Sequence, residues 1–74
     1  MYSILVSDHA RARARERGMS HIEFSQAIHQ AQTWGDAVYT APHGKLVVEH
    51  GVATTVLAAT MPTRDVRLLE RSVQ

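Results

Sequence analysis

The run His9-Ala10-Arg11-Ala12-Arg13-Ala14-Arg15-Glu16-Arg17-Gly18 sets one histidine among four arginines. At about 100° per residue along a helix, His9, Arg13 and Arg17 stand at i, i+4 and i+8 on one stripe, and Arg11 and Arg15 fall well away from it. A proton-transfer group beside fixed cations suits an anionic ligand that must be rearranged chemically, and an RNA phosphodiester is the leading candidate. Metal-free RNA cleavage needs a base for the 2′-hydroxyl proton, an acid for the leaving 5′-oxygen, and cations for the charge that builds on phosphorus. His9 can serve as acid or base. Arg13 and Arg17 can hold the phosphate, because the guanidinium fork suits bidentate contact. A second proton-transfer group is still required, and His43, His50 and Tyr39 are the candidates.

The elements that must position these groups can be read in order. Residues 2–6 form a short β-rich run, which Ser7 or Asp8 ends by capping the helix that follows. Alternating Ala and Arg imitates a strand of period two, but both are strong helix formers and no β-branched residue occurs between His9 and Met19, so a helix stopped by Gly18 is expected. Ser20-His21-Ile22-Glu23 is a capping box for a second helix. Phe24, Ala27, Ile28 and Ala31 give that helix an apolar stripe, and it ends near Thr33 before a turn at Trp34-Gly35-Asp36. Strands are expected over residues 37–41, 45–49 and 52–59, joined by Pro42-His43-Gly44 and by a tight His50-Gly51 hairpin turn. The last strand is apolar on both faces and so should be central. Beyond Pro62, Thr63 can cap a short helix presenting Val66, Leu69 and Val73, or a last strand can run through Val66 and Leu68.

Composition sets limits on this picture. The 74 residues suit one domain with a small core, for which a homodimer or a tight protein partner would add burial. Absence of cysteine excludes a disulfide framework, a thiolate metal site and a cysteine nucleophile, and fits a reducing compartment. The opening residues lack a basic leader and no segment reaches membrane-spanning length, so a cytoplasmic protein without membrane contact is expected. The net charge of +1 is low for a nucleic-acid binder, but the positive charge is local to residues 9–18, with a smaller cluster at Arg64, Arg67 and Arg71. Seven arginines against one lysine also match the coding bias of a GC-rich bacterial or phage genome, which discounts the choice of arginine but not its position.

At these residues the chain is similar to a group of small bacterial proteins. Their signature is a short strand followed by His-Ala-x-x-Arg-x-x-x-Arg-Gly, an apolar residue and serine, here His9 through Ser20. That group resembles the RelE/ParE-type toxins and, more broadly, the barnase–EndoU–colicin–RelE ribonuclease fold. A later match is a helix, a hairpin and a strand ending in Val-Thr-Val before an aromatic. It stands here as Thr54-Thr55-Val56-Leu57, with leucine where the aromatic is usual. The resemblance covers about residues 3–60. It implies one RelE/ParE-like domain over residues 1–74 of class α+β, βααβββ, with a curved antiparallel sheet packed on two N-terminal helices and a short C-terminal helix or strand. It further implies a toxin-type endoribonuclease that works without a cofactor, with RNA as ligand and an antitoxin or other protein as partner. Position by position, the weight falls on His9, Arg13, Arg17 and Thr55, with Arg11, Arg15, Lys45 and His43 as further RNA contacts.

Plainer readings stand beside these. The His9 stripe can be an ordinary solvated helix face. His21, Ser25 and His29 also align, but two turns put the histidines roughly 12 Å apart, too far to share a metal. His50-Gly51 reads foremost as a turn. Trp34 can stack on a base but reads foremost as a hydrophobic plug at the end of the second helix. Thr54 and Thr55 should face opposite sides of their strand. Two other functions therefore stay open: a non-enzymatic phage or mobile-element binding module that uses the basic helix on nucleic acid or an acidic protein, and a structural homodimer subunit.

Overall fold

A computed structural model describes residues 1–63 and 66–73. In chain order the elements are β1 (Leu5–Val6), α1 (Asp8–Glu16), α2 (His21–Trp34), β2 (Ala37–Ala41), β3 (Gly44–Glu49), β4 (Val52–Leu57) and β5 (Glu70–Ser72). The architecture is α+β, with both helices packed on an open five-stranded sheet of order β1-β4-β3-β2-β5.

Local signals account for most of these elements. Ser7 caps α1, its Oγ accepting the Ala10 N–H at 3.0 Å while its own hydroxyl donates to the Ala53 carbonyl at 2.8 Å. That second bond ties the start of α1 to β4. The capping box at α2 is formed in both directions, Glu23 N–H to Ser20 Oγ at 3.1 Å and Ser20 N–H to Glu23 Oε2 at 2.9 Å. The His50-Gly51 turn carries positive φ at both residues, 54° and 74°, as a type I′ hairpin turn requires. Asp36 clasps it, accepting from the His50 and Gly51 N–H groups at 2.8 and 3.0 Å.

The sheet is mixed, which corrects the expected antiparallel arrangement. β2, β3 and β4 form an antiparallel meander, whereas β1 joins β4 and β5 joins β2 in parallel. The path of the helices explains the first parallel pair. α1 leaves β1 beside Ala53 and carries the chain to Met19, next to Gly44 at the other end of the sheet. From there α2 brings it back to the Asp36 clasp, so β2 starts in the direction of β1. Two hairpin turns then give β4 that direction again. β4 is an interior strand, between β1 and β3, as expected for a strand that is not an edge. The tail differs as well: the strand is Glu70–Ser72, later than a strand through Val66 and Leu68 and in place of a helix presenting Val66, Leu69 and Val73. Arg64 and Asp65, inside that expected helix and the C-terminal arginine cluster, lie outside the described residues.

Alternation along each strand sorts the core. Ala37, Tyr39, Ala41, Leu46, Val48, Ala53 and Val56 meet Ala10, Ala14, Phe24, Ala27 and Ala31 from the helices. The other sheet face also buries Val38 and Val47, so β2 and β3 are apolar on both sides. Over that second face, Val66, Arg67 and Leu68 share a cavity with Val47 and Thr55. No helix among the described residues is long and apolar enough to cross a membrane.

Leu46, fully buried on the middle strand, should lose about 2–5 kcal/mol of stability on replacement by alanine, read by denaturant unfolding. His50→Gly relieves a left-handed non-glycine backbone and should stabilise by roughly 0.5–1 kcal/mol in the same assay.

Candidate functional site

Burial of Ala10 and Ala14 sets the orientation of α1. With that pair against the sheet, Arg11 and Arg15 emerge on one flank of the helix, while His9 and Arg13 emerge on the other. The flank that faces α2 is the Arg11/Arg15 flank. Both arginines line a cavity of about 200 Å³ with Ala14, Met19, Ser20, His21 and Phe24. A second cavity continues along the same interhelical groove, and Arg11, His21 and Phe24 line it too, with Ser25, Ile28 and His29. Among the described residues, neither cavity is lined by a carboxylate. The groove therefore offers two guanidinium groups and two imidazoles, those of His21 and His29, with no carboxylate among the described residues of its lining, an arrangement that attracts an anion and can exchange a proton with it.

This is the combination of histidine and paired arginines sought along one helix, built instead across two. His21 is the member of this cluster that spacing along α1 does not carry. Its alignment with Ser25 and His29 was visible, and so was the separation of Arg11 and Arg15 from the other arginines. What joins them is the placement of the two helices side by side on the sheet, α1 mainly on β4 and α2 mainly on β2, which no local signal specifies.

The other expected groups are dispersed. His9 is exposed in the first turn of α1 and makes no hydrogen bond or ion pair among the described residues. Arg13 is tied to Glu16 by a 2.7 Å ion pair. Arg17 is the C-cap of α1. Lys45 is not available as a surface contact, because its side chain is 12% exposed and its Nζ donates to the Met61 carbonyl at 3.0 Å and to Glu70 at 3.3 Å. Tyr39 is fully buried and its hydroxyl donates to the Gly35 carbonyl; burial raises its pKa and removes it as a surface acid. His50 serves the clasped turn. Thr55 lies across the sheet from α1, where it pairs with Val47. Thr54 and Thr55 do not face opposite sides as strand alternation implies. A bulge between Val47 and Val48 skips Thr54 in the register, and both threonines line the cavity on that face.

His43 has a defined role. From the β2–β3 turn its Nδ1 meets Glu23 Oε1 at 2.8 Å, while Oε2 of the same carboxylate holds the cap of α2. Glu23 lies 200° round α2 from His21, so this pair belongs to the flank opposite the groove. It pins the hairpin to the helix. Among the described residues no group of three or more His, Asp or Glu side chains has metal-holding geometry. No family model, curated protein or solved structure matches the chain.

Three carboxylates hold the loops around this framework, each with its pKa lowered. In Glu23 the Ser20 N–H is the main cause, followed among the lowering effects by His43. In Asp36 it is the Gly51 and then the His50 N–H, and in Glu70 the hydrogen bonds from Thr63, Lys45 and Thr40. A folded-state pKa below the unfolded one contributes stability that is present above the unfolded value and is lost as pH falls through the folded one. With ordinary values of 4.5 for Glu and 3.8 for Asp, thermal stability should hold from pH 7 to about pH 5 and decline below it. Glu23→Gln should show a shallower decline; an unchanged acid slope would contradict the role given to this clasp.

Proposed function

We propose that this protein is an RNA-directed domain of the RelE/ParE-like toxin type, which seats a phosphodiester in the α1–α2 groove. Arg11 and Arg15 hold the phosphate oxygens and His21 is the proton-transfer group beside them. The observation that carries the reading is the shared cavity of these three side chains, with no carboxylate among the described residues that line it. In cleavage His21 would take the 2′-hydroxyl proton as the 2′-oxygen bonds to phosphorus; the P–O5′ bond breaks to leave a 2′,3′-cyclic phosphate, water protonates the leaving 5′-oxygen, and the two guanidinium groups meet the charge that develops on phosphorus. A toxin of this kind would be restrained by an acidic protein covering the same arginines.

A second reading, a binding module without catalysis, draws on one specific feature. The cavity that Arg11 and Arg15 share holds a single imidazole, and His29 stands two turns along α2 from it, roughly 12 Å. One phosphate between the two arginines would thus meet one proton-transfer group rather than two.

Binding of a labelled single-stranded RNA across a salt series tests what the readings share. Arg11→Gln with Arg15→Gln should weaken binding and flatten the log–log salt slope by about 1.4, roughly 0.7 per lost phosphate contact. Arg13→Gln with Arg17→Gln should change the slope far less, and the reverse pattern would return the site to the His9 stripe. Induced expression in a bacterial host, with growth and total RNA followed together, separates the readings. Cleavage predicts growth arrest lost in His21→Ala and kept in His9→Ala at equal soluble level, whereas intact RNA with the unaltered chain leaves the binding module.

A further inference from the structure

The interhelical groove leaves one aromatic site unused. Trp34, the last residue of α2, is 53% exposed, so it is not the hydrophobic plug its position in the sequence implies. Arg71 of β5 lies over it, the guanidinium carbon 4.5 Å from the ring centroid. One indole face is therefore taken by a cation, and the exposure leaves the other face to solvent. Around the pair, Gln30, Glu70 and Ser72 complete a shallow cavity of about 420 Å³.

Charge and shape narrow what this cavity takes. The cation–π contact holds the indole in one orientation, so a ligand that stacks on the open face costs less side-chain entropy than it would on a free tryptophan. The Arg71 cation lies on the covered face of the ring, and strand alternation turns the Glu70 carboxylate to the other side of the sheet, so neither charge stands over the open face. Glu70 is already engaged by Thr40, Thr63 and Lys45, and is fixed rather than free to swing over the ring. A neutral, planar, heteroaromatic ligand fits these terms. We propose that Trp34, backed by Arg71, is a nucleobase seat that stacks one unpaired base of a single strand.

The proposal rests on the RNA-directed reading only for the source of the base; the stacking itself does not need it. About 20 Å of helix separate His21 from Trp34, and the two lie on different flanks of α2. Base seat and phosphate groove can therefore be tested apart.

Trp34 is the only tryptophan in the chain, so its emission reports the seat directly. The whole protein is titrated with adenosine, which carries no phosphate, with ribose 5-phosphate, and with a single-stranded oligoadenylate. Saturable quenching by adenosine and by the oligomer, with none from ribose 5-phosphate, is expected. Trp34→Ala, checked for native circular dichroism, should bind the labelled oligomer roughly ten-fold more weakly, and Trp34→Phe should recover most of that loss. Unchanged emission with adenosine, together with unaltered oligomer affinity in Trp34→Ala, would overturn the proposal. The Arg11→Gln, Arg15→Gln double variant distinguishes the two sites: adenosine should still quench Trp34 there even though the oligomer binds poorly. Full oligomer affinity in that variant would remove the groove and leave the base seat standing.

Discussion

Burial of Ala10 and Ala14 beneath α1 is the constraint on which the rest of the site depends. Both side chains are at most 5% exposed, and their small size lets the helix lie close on the sheet, mainly on β4. Once that pair is fixed inward, helical geometry leaves the arginines no choice of side. Arg11 and Arg15 must look toward α2, and Arg13 must look away, where Glu16 neutralises it. A modest net charge of +1 thus coexists with a groove lined by cations and, among the described residues, by no carboxylate, because Glu23, Asp36 and Glu70 are placed elsewhere.

Those acidic side chains act at the ends and the far side of the sheet. Asp36 gathers the β3–β4 turn, Glu23 gathers the β2–β3 turn and the α2 cap, and Glu70 gathers Lys45, Thr40 and Thr63 where the C-terminal segment meets the sheet. Gly35 adds a steric element to the same framework. It has φ of 80°, and the Tyr2 ring lies 3.1 Å from where a β-carbon would stand, so the chain's start closes over the end of α2 only because no side chain is there. The lone lysine is part of this scaffold rather than of any surface field.

Much of the fold was legible because it is encoded locally. The Ser7 cap, the Ser20-to-Glu23 capping box, the apolar stripe of α2 and the His50-Gly51 turn each rest on residues within a few positions of one another, and each is found. What failed to show in the sequence depends on distant contacts. The parallel pairing of β1 with β4 follows from where two helices deliver the chain, and β5 takes its place through its ladder to β2. The bulge at Thr54 defeats simple alternation. For the candidate site, residue spacing divided the arginines into two pairs, and the structure places Arg11 and Arg15, not Arg13, in the groove between the helices. The histidine that completes the cluster sits on another helix, and periodicity along one helix carries no information about its neighbour.

Backbone amide shifts of the labelled protein, followed while a short single-stranded oligouridylate is added, test most directly whether the interhelical groove is the seat of the ligand. Uridine stacks weakly, so phosphate contacts should dominate the response. The largest shifts are expected at Arg11, Arg15, Ser20, His21 and Phe24, with little change across the sheet at Val47, Thr55 and Arg67. Shifts concentrated on Val47, Thr55, Leu57 and Arg67, or along His9 and Arg13 alone, would contradict that assignment.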